Sequence, residues 1–506
     1  MFMLQSKVAR MALAEAVTAA LVLVTSSLLL ISWWRKSLKT CNLPPGPPPL
    51  PLIGNLLQIR RGETLSSLLA LRKKYGDVFT MYLGTRKVVV LCGYKAVKEA
   101  LIDQGEDFSG RGDMPSMARV YKDYGIAFTT NMEWWKQLRH FSLMTLKNFG
   151  IGKRSIEERI QAEVQTLIEE YRNTKALPFD PRKLFGCVSA NVICSVMIGK
   201  CYDFKDPEFL TLIDGIKKCF EQWSSGWGQL YDVIPHIMDH IPGPHHKIIS
   251  YMDDLLKFVS KRVQINQDTL DPSSPRDYID CFLNKMGKEK ENPSSAFNMT
   301  NLVTSILQII FAGIETSSTT MTYGFLMLLK YPEIKEKLHQ EIDSVIGKER
   351  PPSIQDRRKM PFMEAVINEI QRFCNILPLG VPHTVIRDTL FRGYTIPKGT
   401  NVFPLLHTVL LDPQHFRDPE QFDPMRFLDE KGDLLKREAL IPFSTGKRTC
   451  PGEGLVRMVM FLIFTTILQN FEVKPLLLPK EIDVLPLTSG FGNVPKPYKF
   501  CAVPRT

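Results

Sequence analysis

Apolar residues dominate the start of the chain without a strand or amphipathic-helix period. Residues 16–34 read AVTAALVLVTSSLLLISWW and carry no charge, and about 20 consecutive apolar residues span a bilayer as one helix. Trp33 and Trp34 suit the membrane interface, and Arg35 and Lys36 follow directly. The pattern predicts an uncleaved membrane anchor. The alternative is a cleaved signal peptide, whose apolar region is normally shorter and ends in a small-x-small site.

A proline-rich segment follows the apolar stretch, and after it the hydrophobic pattern indicates strands and a helix. Residues 43–52, LPPGPPPLPL, favour an extended, semi-rigid spacer. Residues 77–83 and 87–91 alternate or are β-branched around Gly84-Thr85, which predicts a β-hairpin. Residues 94–104 predict a short amphipathic helix.

Helical patterns dominate the remainder of the chain. Residues 155–290 are mostly helical in pattern, with breaks at prolines. Residues 301–330 are rich in apolar residues and predict one long helix that Pro332 stops. Composition agrees with a large globular body, because 44% of the 506 residues are hydrophobic and 23% are charged.

The net positive charge of the chain limits the kinds of partner that we expect it to bind. The net charge of +11 fits a nucleic acid, an anionic membrane surface or an acidic protein. No nucleic-acid motif or dense basic run occurs, so we expect a membrane and a protein partner and no nucleic acid. The ten cysteines include no C-x-x-C pair and no zinc spacing.

One cysteine stands in a glycine-bearing basic loop, at residues 443–452, FSTGKRTCPG. Pro451 suits a first helical turn, which places Cys450 at a helix N-terminus. We expect the helix dipole, Lys447 and Arg448 to lower the pKa of the Cys450 thiol and favour the thiolate. A thiolate is a good soft ligand for iron. The alternative is a buried cysteine that only packs.

The long helix contains Ala312-Gly313-Ile314-Glu315-Thr316, in which three residues disfavour an apolar helix interior. Gly313 costs about 1 kcal/mol relative to alanine. Glu315 is a charge among apolar residues, and Thr316 can bond to a carbonyl one turn earlier. The cluster indicates a functional site, and the alternative is a helix kink without function.

Two further pairs are spaced to share a helix face. Trp135 and Arg139, at i and i+4, offer an indole N–H and a guanidinium to one carboxylate. The alternative is a surface stack. Glu369 and Arg372, at i and i+3, are by themselves typical of a weak surface ion pair.

These motifs together resemble the cytochrome P-450 monooxygenases over nearly the whole chain. The run F-x-x-G-x-R-x-C-x-G at 443–452 resembles their haem-binding loop, and A-G-x-E-T, W-x-x-x-R and E-x-x-R resemble further family motifs. The anchor, P-P-G-P-x-P-L-P and F-S-G-R-G are most similar to the animal microsomal, family 2-like group. The resemblance implies a mainly α fold with small β-sheets (α+β), an N-terminal membrane anchor (1–40) and one haem-binding domain (41–506).

The resemblance also implies a site. One haem b would be bound through Cys450, with Glu315 and Thr316 relaying protons where the long helix bulges. A buried network behind the haem loop would consist of Glu369, Arg372 and Arg426. The substrate wall would be residues 376–381, closed by the hairpin tip at 488–492. The expected ligands of the haem propionates are Arg111, Trp135, Arg139, His383 and Arg448.

The implied reaction inserts one oxygen atom from O2 into an apolar substrate such as a fatty acid, steroid or xenobiotic. Since the chain has no G-x-G-x-x-G unit after a strand and no P-loop, electrons would come from NADPH through NADPH–cytochrome P-450 reductase, with cytochrome b5 as a second donor. The expected location is the endoplasmic reticulum membrane, with the catalytic domain in the cytosol by the positive-inside rule.

Two alternative functions stay open. A haem-thiolate isomerase would share the fold, although the intact Glu315–Thr316 pair argues against it. A non-enzymatic haem sensor would need no proton relay. Two departures from the family pattern are Pro451 and Ile314, and we expect Ile314 to reshape the pocket because threonine is frequent there.

Overall fold

The computed structural model describes residues 42–60, 62–149 and 154–505, with the isolated positions 18, 25 and 26. The predicted anchor at 16–34 and the predicted boundary after residue 40 therefore lie outside the described ranges. Helices dominate these ranges, and the β-structure is small, so the prediction of a mainly α fold with small sheets is confirmed.

The helices are numbered here in chain order. They are α1 (Thr64–Tyr75), α2 (Gly93–Lys98), α3 (Pro115–Tyr121), α4 (Met132–Asn148), α5 (Arg154–Asn173), α6 (Arg182–Met197), α7 (Pro207–Ser224), α8 (Gly226–Val233), α9 (Pro235–Met238), α10 (His246–Asp268), α11 (Tyr278–Lys288), α12 (Met299–Lys330), α13 (Pro332–Val345), α14 (Pro361–Cys374), α15 (His407–Leu410) and α16 (Glu453–Asn470).

The strands form one mixed sheet and three small hairpin-like pairs. The larger sheet has the order β1-β2-β7-β4-β3, with β2 and β7 parallel, and the pairs are β5-β6, β8-β11 and β9-β10. Their bounds are β1 (Val78–Leu83), β2 (Arg86–Cys92), β3 (Gly110–Arg111), β4 (His383–Thr384), β5 (Thr389–Phe391), β6 (Tyr394–Ile396), β7 (Asn401–Leu405), β8 (Phe471–Pro475), β9 (Pro486–Ser489), β10 (Asn493–Pro495) and β11 (Phe500–Pro504).

Helix α12 runs through the centre of the fold. Asn298 caps its N-terminus by accepting from the backbone N–H of Asn301, and α13 begins immediately afterwards at Pro332. Its side chains join the largest hydrophobic cluster together with those of α6, α7, α10, α14 and α16. The helix is also the one span in the described ranges that is long and apolar enough to cross a bilayer, but it is mostly buried in protein.

The predicted local elements largely match. Strands β1 and β2 form the expected antiparallel hairpin, and the predicted helix at 301–330 begins two residues earlier, at Met299. The predicted helix at 94–104 is present as α2 followed by a π-helical turn at Glu99–Asp103.

Candidate functional site

The loop that carries Cys450 is closed by its own backbone. The Cys450 N–H donates to the Phe443 carbonyl at 3.0 Å, and the Thr449 N–H donates to the Gly446 carbonyl at 3.2 Å. Gly446 has φ +73°, and a Cβ there would lie 1.8 Å from the Leu101 carbonyl oxygen. Only glycine permits this approach, so the loop is fixed against the element that follows α2.

The predicted electrostatics of Cys450 are wrong in direction. Burial raises the pKa of the Cys450 thiol, although the backbone N–H groups of Gly452 and Glu453 and the Arg139 guanidinium act to lower it. Helix α16 begins only at Glu453, three residues after the cysteine. Lys447 forms an ion pair with Glu106. A thiolate at this position therefore needs the charge of a bound metal cation.

Cys450 borders an internal space. Its side chain is solvent-accessible, yet enough protein surrounds the sulfur to raise its pKa by burial. These two facts agree if the accessible face of the sulfur opens into the protein interior. In α12, Ala312 is likewise accessible in the middle of a mostly buried helix.

Five of the predicted residues form one cluster beside this loop. The Arg448 guanidinium stacks 3.9 Å from the centre of the Trp135 ring, and its Nε donates to the Ser109 carbonyl. Arg139 donates to the Thr449 carbonyl at 2.7 Å. His383 and Arg111 are register partners on β4 and β3, and the His383 Nδ1 lies 2.8 Å from the Phe108 carbonyl oxygen.

The cluster has a large excess of positive charge. Burial, followed by the charges of Arg111 and Arg139, lowers the pKa of Arg448 far below its ordinary value. Burial and the charge of Arg139 lower the pKa of Arg111 to about 10. Burial and the charges of Arg111 and Arg448 lower the pKa of His383 to about 3. Among the described residues, no carboxylate pairs with these three arginines. Since guanidinium groups keep their proton in proteins, the cluster fits a ligand that brings negative charge.

An unpartnered buried atom points to the same conclusion. The Arg448 Nη1 is buried and has no hydrogen-bond partner in the part of the chain described. A buried donor without a partner costs about 1–3 kcal/mol. An anionic group at this position would accept from Nη1 and balance the charges of the three arginines.

Helix α12 is tied to this cluster through Gln308, a residue that the sequence analysis missed. The Gln308 Oε1 accepts from the Ala127 N–H at 2.8 Å, and the carbonyl of the same Ala127 accepts from the Arg111 Nε at 2.8 Å. Gln308 also donates to the Tyr124 carbonyl. A polar amide on an apolar helix face was the sequence signal for this contact, because a buried amide needs hydrogen-bond partners. The bonds of Gln308 fix the position of α12 relative to Arg111.

The predicted proton-relay residues lie two turns further along α12. The Thr316 hydroxyl donates to the Ala312 carbonyl at 2.6 Å, as predicted for a threonine in a helix. The Glu315 carboxyl is buried and accepts from the Thr319 hydroxyl at 3.1 Å, one turn onward, rather than from Thr316. Helix α12 is assigned as continuous α-helix through this stretch, without the bulge that the resemblance implied.

Two residues of the same stretch also have a role in packing. A Cβ on Gly313 would lie 2.7 Å from Ile193 side-chain atoms of α6, so close helix packing explains this glycine. Ile314 is 1% exposed and belongs to the hydrophobic core. It therefore packs between helices, and it does not line the apolar cavity.

Glu315 gives the protein a pH-dependent stability. Burial raises the pKa of Glu315 to about 7, whereas an unfolded glutamate titrates near about 4.3. Between these values the folded state keeps a proton that the unfolded state loses, so its stability falls as pH rises from about 4 to about 7. We expect Glu315→Gln to remove this loss and to be up to about 3 kcal/mol more stable than the parent at pH 8. Thermal unfolding of both proteins at pH 5 and pH 8 measures the difference, and an equal pH dependence would contradict it.

Glu369, Arg372 and Arg426 meet behind the Cys450 loop. Arg372 and Glu369 form a two-pronged ion pair with both bonds at 2.7 Å, and both side chains are 0% exposed. Arg426 adds a contact to the Glu369 Oε1 at 3.3 Å. Arg372 also donates to the carbonyls of Leu410, Pro419 and Gln421, which join α14 to the segment before the loop.

A mainly apolar cavity of about 380 Å³ lies beside the predicted substrate wall. Leu379 and Gly380 from that wall and Phe491 from the predicted hairpin tip line it, together with Trp223 of α7. The tip is the turn between β9 and β10, and it is held to the wall by a bond from the Asn493 N–H to the Ile376 carbonyl at 2.8 Å. Cavities of this kind suit apolar ligands.

Comparison with known proteins identifies the family of this chain. The family model for cytochrome P450 matches residues 44–502. The chain is 51% identical over 495 residues to cytochrome P450 2G1 of Oryctolagus cuniculus, covering 98% of this chain and 100% of that protein. It is 49% identical over 488 residues to cytochrome P450 2C23 of Rattus norvegicus (96% and 99%) and 50% identical over 480 residues to cytochrome P450 2B2 of the same species (95% and 97%).

The chain belongs to the cytochrome P450 family of haem-thiolate monooxygenases. The predicted resemblance to the animal family 2 group is confirmed. Membership makes the protein a monooxygenase with haem b as its cofactor and assigns it to the endoplasmic reticulum membrane.

Proposed function

We propose that this protein hydroxylates or epoxidises apolar substrates of the fatty acid, steroid or xenobiotic type, with electrons from NADPH through NADPH–cytochrome P-450 reductase. Cytochrome b5 serves as a second donor. Residues 1–40 anchor the chain by a single span, and residues 41–506 form one catalytic domain in the cytosol. The observation that carries the proposal is the arginine cluster of Arg111, Arg139 and Arg448, whose unbalanced charge fits the two propionates of haem b.

The roles of the site residues follow from their chemistry. Cys450 would supply the sulfur ligand of the haem iron. Arg448, Arg139 and Arg111 would pair with the propionates. The Trp135 ring supports the Arg448 guanidinium, and His383, held neutral, would add a ring N–H. Glu369, Arg372 and Arg426 hold the segment that precedes the loop. When bound, haem b supplies the activation of dioxygen and the transfer of one oxygen atom.

Proton supply is the task of α12. The Thr316 hydroxyl has its hydrogen directed at the Ala312 carbonyl, which leaves its oxygen to accept from a water molecule. Glu315, with a pKa of about 7, holds and releases a proton near neutral pH. The substrate enters the apolar cavity, whose lining includes Leu379 and Gly380 of the proposed substrate wall.

Arg448→Met tests the propionate role. A charge-assisted bond to a buried guanidinium contributes about 1.5–3 kcal/mol, so we expect haem affinity to fall about tenfold to a hundredfold. Transfer of haem to excess apomyoglobin measures this loss. The matched control is Arg159→Met, because that half-buried arginine donates to the Ser195 carbonyl in another part of the fold. Equal haem loss from both variants would contradict the assignment.

Thr316→Ala tests the reaction itself. In a reconstituted system with reductase and NADPH, we expect NADPH consumption to persist while oxygenated product falls, because proton delivery is impaired. Thr320→Ala is the control, since the Thr320 hydroxyl makes the same bond to a carbonyl one turn earlier, at 2.7 Å. A parent protein that converts hydroperoxides without NADPH would support the isomerase, and a haem-loaded parent without any turnover would support the sensor.

A further inference from the structure

One side of the apolar cavity is lined by helix α8 and by the residue that precedes α3. From α8, Trp227, Leu230 and Val233 line the cavity, and Met114 lines it directly before α3. Helices α3 and α8 come from distant parts of the chain but pack against each other. The position of α8 relative to α3 therefore sets the width of this side of the cavity.

Three polar side chains join these helices outside the cavity. The Arg119 Nη1 of α3 donates to the Tyr231 hydroxyl of α8 at 2.9 Å and forms an ion pair with Asp239, directly after α9. The Tyr231 hydroxyl in turn donates to the Asp239 Oδ1 at 2.9 Å. We name Arg119, Tyr231 and Asp239 the entrance triad. None of the three lines the cavity.

A second bond runs parallel to the triad. The Ser116 N–H at the start of α3 donates to the Asp232 Oδ1 at 2.8 Å. Asp232 follows Tyr231 directly on α8. These two residues bond to Ser116 and Arg119, which lie on successive turns of α3. The contact between α3 and α8 therefore has a defined alignment but depends on few polar bonds.

The location of the triad suits a joint that opens and re-forms. The Arg119 side chain is 45% exposed and that of Asp239 is 33% exposed, and such half-exposed ion pairs are weak. Tyr231, by contrast, is buried, and its ring packs 5.6 Å from that of His245. The hydroxyl of Tyr231 therefore connects a fixed ring to a solvent-facing ion pair.

We propose that the entrance triad determines the size of substrate that this monooxygenase admits, by holding α8 against α3. The three residues are positioning residues: they act through Trp227, Leu230 and Val233, which face the cavity. This inference rests on the proposed use of that cavity by the substrate. A chain without the triad admits bulky apolar molecules faster, whereas small ones enter at the same rate.

The test is Tyr231→Phe in the full-length holoprotein, which deletes one hydroxyl and keeps the packed ring. Entry of naphthalene and of the larger pyrene is followed by stopped-flow absorption of the haem. We expect the association rate of pyrene to rise about fivefold, from the loss of bonds of typical strength, and that of naphthalene to stay constant. The kcat/KM ratio for pyrene rises with unchanged kcat.

Tyr278→Phe is the matched control, because it deletes a hydroxyl that bonds to Ser142 at 2.8 Å in the core. Hydrogen exchange of residues 115–121 and 226–239 should accelerate in Tyr231→Phe and not in Tyr278→Phe. Arg119→Asp alone should lose the parent's size selectivity. The charge-reversal double variant Arg119→Asp, Asp239→Arg should restore it.

The outcomes separate the two proposals. Equal entry rates for both probes in parent and Tyr231→Phe, or the same acceleration in Tyr278→Phe, would overturn the role of the triad. Because exchange is measured without substrate, a parent that takes up neither probe but shows the expected exchange pattern would refute the proposed substrate cavity while supporting the triad as the joint between α3 and α8.

Discussion

The Cys450→Ser variant is expected to lose oxygenation of apolar substrates to the background level. Burial raises the pKa of the Cys450 thiol, and a bound iron would supply the positive charge that favours the thiolate. A serine hydroxyl is a harder, far less acidic donor and does not push electron density onto iron as a thiolate does. The ferrous carbonyl spectrum, which reports the axial ligand, should change from the thiolate form.

Cys501→Ser serves as the control for this prediction. Cys501 is a half-buried free cysteine on β11, so its replacement tests for general loss of folding. We expect the control to keep the carbonyl spectrum and turnover of the parent. Retention of both properties by Cys450→Ser would remove Cys450 from the site.

The Glu369→Ala variant is expected to yield little folded protein. Its partner Arg372 would remain fully buried with an unbalanced charge, a change that costs about 3–5 kcal/mol. Domains are typically stable by only about 5–15 kcal/mol. Arg372 also bonds to three carbonyls before the Cys450 loop, so we expect haem to be lost together with the fold. The yield of haem-loaded protein and its thermal unfolding temperature measure the effect.

Two comparisons isolate the buried charge as the cause. Asp254→Ala breaks an ion pair with Lys257 whose side chains are 63% and 77% exposed, and we expect a change of at most about 1 kcal/mol. The double variant Glu369→Ala, Arg372→Met removes both charges and should recover part of the lost stability. A single Glu369→Ala protein as stable as Asp254→Ala would contradict this account.

The long elements and the spacing motifs were predictable because each depends on local sequence. Helix α12 follows from an uninterrupted apolar pattern ended by Pro332, and the β1–β2 hairpin follows from alternation around one turn. The pairing of Glu369 with Arg372 follows from helical spacing, but their complete burial does not. It depends on carbonyls 38–49 residues away in the chain.

The errors came from properties that only tertiary packing determines. The basic residues near Cys450 were expected to stabilise its thiolate, but Lys447 turns to Glu106 and Arg448 to the Ser109 carbonyl. Gly313 was interpreted as a functional irregularity, although it also leaves room for the Ile193 side chain of a neighbouring helix. Gln308 and the entrance triad were missed, because each contacts residues more than 100 positions away.

The most direct test of the account is turnover under ¹⁸O2. The full-length haem-loaded protein, with reductase and NADPH, is supplied with a mixed pool of fatty acids, steroids and planar aromatics, and products are analysed by mass spectrometry. The products are expected to carry one atom of ¹⁸O and to appear only when reductase and NADPH are present. Haem-loaded, reducible protein that forms no ¹⁸O-labelled product from any member of the pool would contradict it.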